Sequence, residues 1–154
     1  MTNILTESRK ALYDQLQTIT VANGYRTNAG QNVRSGWLNE VLKEEGISFP
    51  VIVLQPARGA APVKGPNAFK LGKGFNVAGA VSVGMDYEDA LDDIELDLIQ
   101  CLVTEQGRFP KWLPLGVTAL TLGAPESFPP GEGMLAAAVL LPVNLSTIVE
   151  GKYP

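Results

Sequence analysis

The first periodic stretch of the chain predicts an amphipathic helix over residues 5–19. Four apolar side chains recur there within a narrow arc at about 100° per residue, and charged or amide side chains fall opposite them. The apolar set is Leu5, Leu12, Leu16 and Ile19. Thr6 is the predicted N-cap, and the turn formers Asn23-Gly24 end the element. Such a narrow stripe is typical of a surface helix packed on one layer.

Short apolar runs that follow this helix predict strands. Residues 33–38 fit a short strand, whereas the apolar spacing within residues 37–45 also fits a helical turn and a half, so that segment stays undecided. Residues 50–54 are a continuous run of proline, β-branched residues and leucine, which predicts a buried strand. In residues 75–83 apolar side chains alternate with small or polar ones, which predicts a strand with a period of two.

Glycine, proline and alanine dominate residues 55–74, which predicts a long flexible loop or an extended hairpin. A second helix is predicted over residues 87–103, with Asp86 as its N-cap and acids in its first turn. A strand is predicted at 115–122. The last apolar segment, residues 135–149, is β-rich and contains a proline, Pro142, which predicts a bulge or an edge position.

The order helix, strands, helix, strands predicts an α+β fold. We expect a mostly antiparallel or mixed β-sheet with two main amphipathic helices packed on it, in a single domain over residues 1–154. The composition fits this expectation, since 45% of the residues are apolar and 18% are charged.

The helix predicted at 87–103 carries two apolar stripes. The first spans an arc of about 120° and is expected to cover the sheet. It consists of Tyr87, Ala90, Leu91, Ile94, Leu98, Cys101 and Leu102. The second stripe, Leu96, Ile99 and Val103, falls on the far side. Either the helix at 5–19 packs on this second stripe, or a neighbouring subunit does, and the sequence leaves both alternatives open.

Charge is segregated between two neighbouring segments. Four basic residues and no acid occur between residues 57 and 85, and eight acids and no base occur between 86 and 105. One interpretation is that both surfaces are solvated or pair within one molecule. The alternative is that the basic segment of one subunit meets the acidic helix of the next, head to tail, in a contact that can close a ring. The candidate interface residues are Arg58, Lys64, Phe69, Lys70, Lys73, Glu88, Asp89, Asp92, Glu95, Leu96, Ile99 and Val103.

The sequence offers little that is typical of catalysis. Histidine is absent, which removes the commonest general base and metal ligand. Gly72-Lys73-Gly74 lacks the glycine and the hydroxyl that a Walker loop requires, and the glycine pattern at 131–136 follows prolines rather than a strand. The acids of 86–97 lack the spacing of a calcium loop. Cys101 lies on an apolar arc, which favours a buried side chain over a nucleophile. We therefore expect no catalytic, cofactor or metal residues.

An ordered set of features carries a family resemblance over nearly the whole chain. The set is an N-terminal amphipathic helix, the stretch NGYRTNAGQNV at 23–33, the strand FPVIVLQP at 49–56, a glycine-rich segment, an acidic helix and a final long β segment. It resembles the tail terminator, or tail completion, proteins of tailed bacteriophages, and is similar to the U-type protein of lambda-like phages. The residues at 37–46 are more helical than that family's pattern.

The resemblance implies a structural protein of the virion tail or neck, assembled in the host cytoplasm, with no catalysis and no cofactor. It implies a homo-oligomeric ring, six-fold in relatives, that caps the tail tube protein, stops tube growth and offers a docking face to head-completion or neck proteins. A sheath protein is a further implied partner in contractile phages, DNA only passes through the lumen, and no membrane is involved. In this interpretation the glycines turn the chain from helix into sheet and Tyr25 anchors the corner.

Two alternatives remain open at this point. One is another neck or tail subunit, such as a head-tail joining or tube-like protein. The other, from a different class, is a small cytosolic ligand-binding or enzyme domain that uses residues 55–74 as a lid.

Overall fold

The computed structural model describes residues 3–84, 86–103, 110–130 and 136–150. Within these ranges the chain forms three α-helices and a seven-stranded mixed sheet, which confirms the predicted single α+β domain. The elements are α1 Ile4–Leu16, β1 Val33–Ser35, α2 Leu38–Leu42, β2 Val51–Ala57, β3 Val63–Gly65, β4 Ala68–Ser82, α3 Tyr87–Leu102, β5 Val117–Leu122, β6 Glu126–Phe128 and β7 Ala136–Glu150. None of the helices in the described ranges is long and apolar enough to cross a membrane.

The sheet is built on the antiparallel pair β4 and β7, each 15 residues long. The two strands stay in register from Ala68↔Glu150 to Ser82↔Ala136. The strand order is β1-β2-β4-β7-β5, with β1 parallel to β2, and with β3 and β6 paired to the other halves of β4 and β7. Beyond the end of β2, residues 63–74 and 144–150 continue as a ribbon, which we call the arm.

The two faces of the sheet are covered by different helices. We call the face that packs on α1 and α3 the helical face, and the opposite one the second face. On the helical face the main core includes Phe75, Val77 and Val81 of β4. On the second face Ala78 and Ala80 are also buried, in a smaller cluster with α2. β4 confirms the strand predicted at residues 75–83. Ala78 and Ala80 on its second face are buried as well, because α2 packs on that side.

Helix α3 crosses the sheet over Gly79. An ideal Cβ built on this glycine would lie 2.8 Å from Ile94 Cδ1 and 2.9 Å from Ile94 Cγ1. Ile94 is fully buried, so the missing side chain lets the helix approach the strand closely.

The connection between α1 and β1 consists of two 3₁₀ turns, at Val21–Asn23 and Ala29–Gln31. Gly24 has φ +92° between them, a conformation that L side chains rarely adopt. Gly30 donates its N–H to Ile19 O at 2.8 Å, and a Cβ there would meet the Gln17 and Ile19 carbonyls. The glycines turn the chain from helix toward sheet, as predicted for the 23–33 stretch.

Several predicted boundaries change for local reasons. Asn3, not Thr6, caps α1, since its side chain accepts from Thr6 N at 2.9 Å, and the helix ends at Leu16 rather than residue 19. The undecided segment 37–45 is largely the short helix α2.

The segment 55–74 is an extended hairpin rather than a loop. β3 and β4 are joined by a tight turn at Pro66-Asn67, where Asn67 has φ +57°. Gly72 and Gly74 lie within β4, so the prediction that this glycine pattern forms a loop is wrong. These two glycines let residues 58–60 approach β4 closely, because a Cβ at Gly74 would meet the Arg58 carbonyl and one at Gly72 would meet Ala60. The other glycine pattern, at 131–136, lies outside the described residues except for Ala136.

Pro142 lies in β7 without a shift in the register to β4. On the other side of β7, β5 pairs as far as Val143 and β6 begins at Leu140. Pro142 therefore lies where one neighbouring strand gives way to the next, and its carbonyl accepts from Gly123 N at 2.8 Å. This gap, rather than a bulge, accommodates the missing N–H.

We predict that Gly79→Ala destabilises the protein by about 1–3 kcal/mol, because the added methyl group overpacks the contact with Ile94. Gly84→Ala is the matched control, since nothing lies within 4 Å of a Cβ at that position. Denaturant unfolding of both variants measures the difference. Equal midpoints for the two variants would contradict this account of the helix crossing.

Candidate interaction surfaces

Three of the four basic residues predicted for an interface lie on the arm, but they are divided between the two faces of the sheet. Directly opposite residues on paired strands share a face. Lys64 lies opposite Phe69, at positions that belong to the helical face, and Lys73 has the same parity in β4. Lys73 is half-buried, with Nζ 5.6 Å from the centre of the Phe75 ring. Lys70 lies on the second face, and Arg58 is exposed just past the end of β2.

Lys70 lies at the centre of an apolar patch on the second face of the arm. It is opposite Val63 in β3 and opposite Ile148 in β7, and these two side chains are 63% and 47% exposed. Ile148 N donates to the Gly116 carbonyl at 2.9 Å. Leu115, the residue before Gly116, is 96% exposed. We call Val63, Lys70 and Ile148 the arm patch.

The acids of α3 form an outer stripe that points away from the sheet. At about 100° per residue, Asp89, Asp92, Leu96 and Val103 fall within an arc of about 60°. All four are exposed, with Leu96 at 41% and Val103 at 55%. We call these four residues the α3 stripe. Glu88 and Glu95 flank it, the first exposed and the second half-buried.

Helix α1 leaves this second stripe of α3 open. α1 contacts α3 at Cys101, where Gln15 Nε2 donates to the Cys101 carbonyl at 3.1 Å and the thiol donates to Gln15 O at 3.2 Å. Ile99 is half-buried against the main core. Leu96 and Val103 remain exposed, so the interpretation in which the N-terminal helix covers the second stripe is wrong for these two residues.

The basic and acidic surfaces lie far apart within one molecule. The middle of α3 packs over Gly79, nine residues along β4 from Lys70, which corresponds to about 30 Å at 3.3 Å per residue. The arm patch lies on the second face, whereas the α3 stripe faces outward on the helical side. The two surfaces therefore do not meet within one copy.

One acid of α3 has a different role from its neighbours. Asp97 is fully buried. Its carboxylate accepts from Arg26 N at 3.0 Å, from Thr27 N at 2.8 Å and from the Thr27 hydroxyl at 2.9 Å, and Arg26 Nη1 lies 3.3 Å away. A buried carboxylate needs such donors to offset its lost hydration. Asp97 thus holds the α1–β1 connection onto α3.

Tyr25 adds a second contact in the same corner. Its ring is half-buried against the main core, as predicted for an anchor. Burial raises the pKa of the Tyr25 hydroxyl, and the neighbouring Cys101 contributes further. Burial also raises the pKa of the Cys101 thiol, although a hydrogen bond from Thr18 opposes this. The buried thiol fits the predicted role of Cys101 as a core residue.

The rest of the described surface bears on three alternatives, a metal site, a ligand groove and a lid. No group of three or more His, Cys, Asp or Glu side chains positioned to hold a metal ion occurs among the described residues. A shallow groove between α2 and β6 on the second face is lined mainly by apolar side chains, including Leu38, Leu42 and Phe128. The segment 55–74, the lid in the enzyme alternative, is joined to the sheet through β3 and β4.

Comparison with known proteins finds a shared fold. A chain of a solved structure titled "Virion of native gene transfer agent (GTA) particle" superposes with a TM-score of 0.65. The aligned region covers 97% of this chain and 100% of that chain, at 13% sequence identity. No protein-family model matches the chain, and no curated protein matches it.

Sequence reasoning missed the apolar part of the arm patch and the role of Asp97. Ile148 breaks the polar series Asn144, Ser146 on its side of β7, which was a usable signal. The one signal for Asp97 in the sequence is its angular position: at about 100° per residue it falls near Ala90, at the edge of the stripe that faces the sheet.

We predict that Asp97→Asn lowers the free energy of unfolding by about 2–4 kcal/mol, because the amide cannot accept from all of the donors that surround the carboxylate. Asp93→Asn, at an exposed position of the same helix, should stay within about 0.5 kcal/mol of the wild type. Denaturant unfolding provides the comparison, with amide hydrogen exchange at Arg26 and Thr27 as a local readout. Unchanged exchange at these two amides would contradict the role given to Asp97.

The raised pKa values of Cys101 and Tyr25 predict a loss of stability at alkaline pH. Both groups are neutral when protonated, so a folded-state pKa above the unfolded value favours folding below the unfolded pKa. This contribution disappears as pH rises through the folded pKa. We expect Cys101→Ala to have a shallower decline in unfolding free energy than the wild type above about pH 9. Parallel curves for the two proteins in urea titrations between pH 7 and 10.5 would refute it.

Proposed function

We propose that this protein is a structural component of a phage-like virion that forms a ring at the end of the tail tube. In that position the ring stops tube polymerisation and provides the docking surface for head-completion or neck proteins. The observation that carries the proposal is the match of the whole fold, over 97% of this chain, to a chain of a gene transfer agent virion.

The distribution of surface features supports a structural role. Among the described residues, exposed apolar side chains lie beside charged ones on the arm, at Val63 and Ile148, and on the outside of α3, at Leu96. Exposed apolar patches with charged neighbours are typical of protein–protein contacts. The two surfaces differ and face opposite directions, which suits a heterologous contact between identical subunits.

The overall charge supports passage of DNA through such a ring. The chain has a formal net charge of −4. A negatively charged protein surface repels the phosphate backbone, so a translocating polymer does not adhere to it. Six copies would multiply the effect. DNA is therefore proposed as a passing polymer and not as a bound ligand.

The proposal predicts that the purified protein forms closed rings, with six copies as the expected number, and that these rings cap tail tubes. Native mass spectrometry gives the copy number, and negative-stain microscopy shows ring closure. Adding the protein to polymerising tail tube protein should shorten the tubes and leave ring density at one end. A protein that stays monomeric at high concentration and leaves tube length unchanged would overturn the proposal.

The same measurements separate the remaining candidate, another neck or tail subunit. A head-tail joining protein would form rings that bind the neck but not the bare tube. A tube-like protein would polymerise into long tubes by itself. Capping at one end only is the outcome specific to a terminator.

A further inference from the structure

We infer that the arm patch of one copy docks onto the α3 stripe of the next, and that this contact builds the ring. The inference rests on the proposed function and specifies the surface that carries it. The occupant of the arm patch is thus a second copy of this chain.

The chemistry of the two surfaces is complementary. In the arm patch, Lys70 is flanked by two exposed aliphatic side chains, Val63 and Ile148. In the α3 stripe, Leu96 and Val103 provide the aliphatic part, and Asp92 and Asp89 lie about one and two turns before Leu96. In the contact, the Lys70 ammonium group would thus face the carboxylates of Asp89 and Asp92, and the aliphatic side chains of the two surfaces would pack together. Such charge complementarity favours one relative position of the two copies.

The arrangement on each copy makes this contact directional. The arm patch lies on the second face of the sheet, at the end of β4 where Lys70 lies, and the α3 stripe lies on the opposite side, about 30 Å away by strand length. Each copy therefore offers one of each surface to two different neighbours. Such front-to-back contacts propagate from copy to copy and close when the rotation per copy allows it.

The division of the basic residues decides which cation takes part. Lys64 and Lys73 lie on the helical face of the arm, and Lys73 is partly occupied by its contact with Phe75. Lys70 lies on the second face between the aliphatic side chains. Lys70, rather than the whole basic segment, is thus the cation of the contact.

The test is a charge-swap cycle read by sedimentation velocity and native mass spectrometry. Lys70→Glu places a carboxylate against Asp89 and Asp92, and Asp92→Lys places an ammonium group against Lys70. We expect each variant to lower the association constant by on the order of 100-fold, since like charges in a contact are strongly unfavourable. The double variant Lys70→Glu with Asp92→Lys should recover most of the loss.

Lys10→Glu is the matched control, because it makes the same change of charge on the exposed side of α1. It should assemble like the wild type. Circular dichroism and thermal unfolding verify that every variant is folded. Rings that persist in Lys70→Glu, or a double variant that is not rescued, overturn the contact. Disruption by Lys73→Glu but not by Lys70→Glu also overturns it, since the other face of the arm would then be in use.

Cysteine cross-linking tests the direction of the contact independently. In the variant Val63→Cys with Leu96→Cys, oxidation should link copies into a ladder that ends at the ring size, whereas either cysteine alone should give no ladder. A ladder absent from oxidised rings would count against the contact. If the wild type forms no ring at all, the proposed function itself fails, which is distinguishable from rings that assemble without the arm patch.

Discussion

The antiparallel pairing of β4 with β7 organises the whole molecule, because β2, β3, β5 and β6 each attach to one of these two strands, and β1 attaches through β2. Their 15 residue pairs continue past the region that the helices cover. At one end both faces of the ladder are buried, by α3 on the helical face and α2 on the second face. At the other end the ladder projects as the arm, with aliphatic side chains exposed. A long ladder thus produces both the core and the exposed surface of the arm.

Helix α3 serves three functions because its three sides meet different environments. Ile94 and Leu98 are fully buried in the main core. Asp97, on another side, holds the α1–β1 connection through the main-chain N–H groups of Arg26 and Thr27. The outer side carries acids and the exposed Leu96. The acids of this helix are therefore not equivalent. Only the exposed acids on its outer side contribute to an electrostatic surface.

The proposed ring rests on two independent observations, the fold shared with a virion chain and the pair of opposed surfaces. A likeness at 13% identity speaks for the architecture, whereas the arrangement of Lys70 between Val63 and Ile148 is a property of this chain's own residues. A subunit with different, oppositely directed contact surfaces assembles in one direction. Directional assembly is what a ring with one face to a tube and another to a neck requires.

Local sequence determined the elements that depend on short-range preferences. The periodicity of Leu12 and Leu16 gave α1, the acids after Asp86 gave the start of α3, and the β-branched run of 51–54 gave β2, because helix and strand preferences act within a few residues. Only the tertiary structure decided how these elements pack. Ala78 and Ala80 on the second face became buried because α2 packs over them. Asp97 became buried because residues 26–27 fold back onto it. Residues 63–65 and 68–74 became strands because they pair with each other and with β7. Each of these outcomes depends on contacts between residues distant in the chain, which periodicity cannot encode.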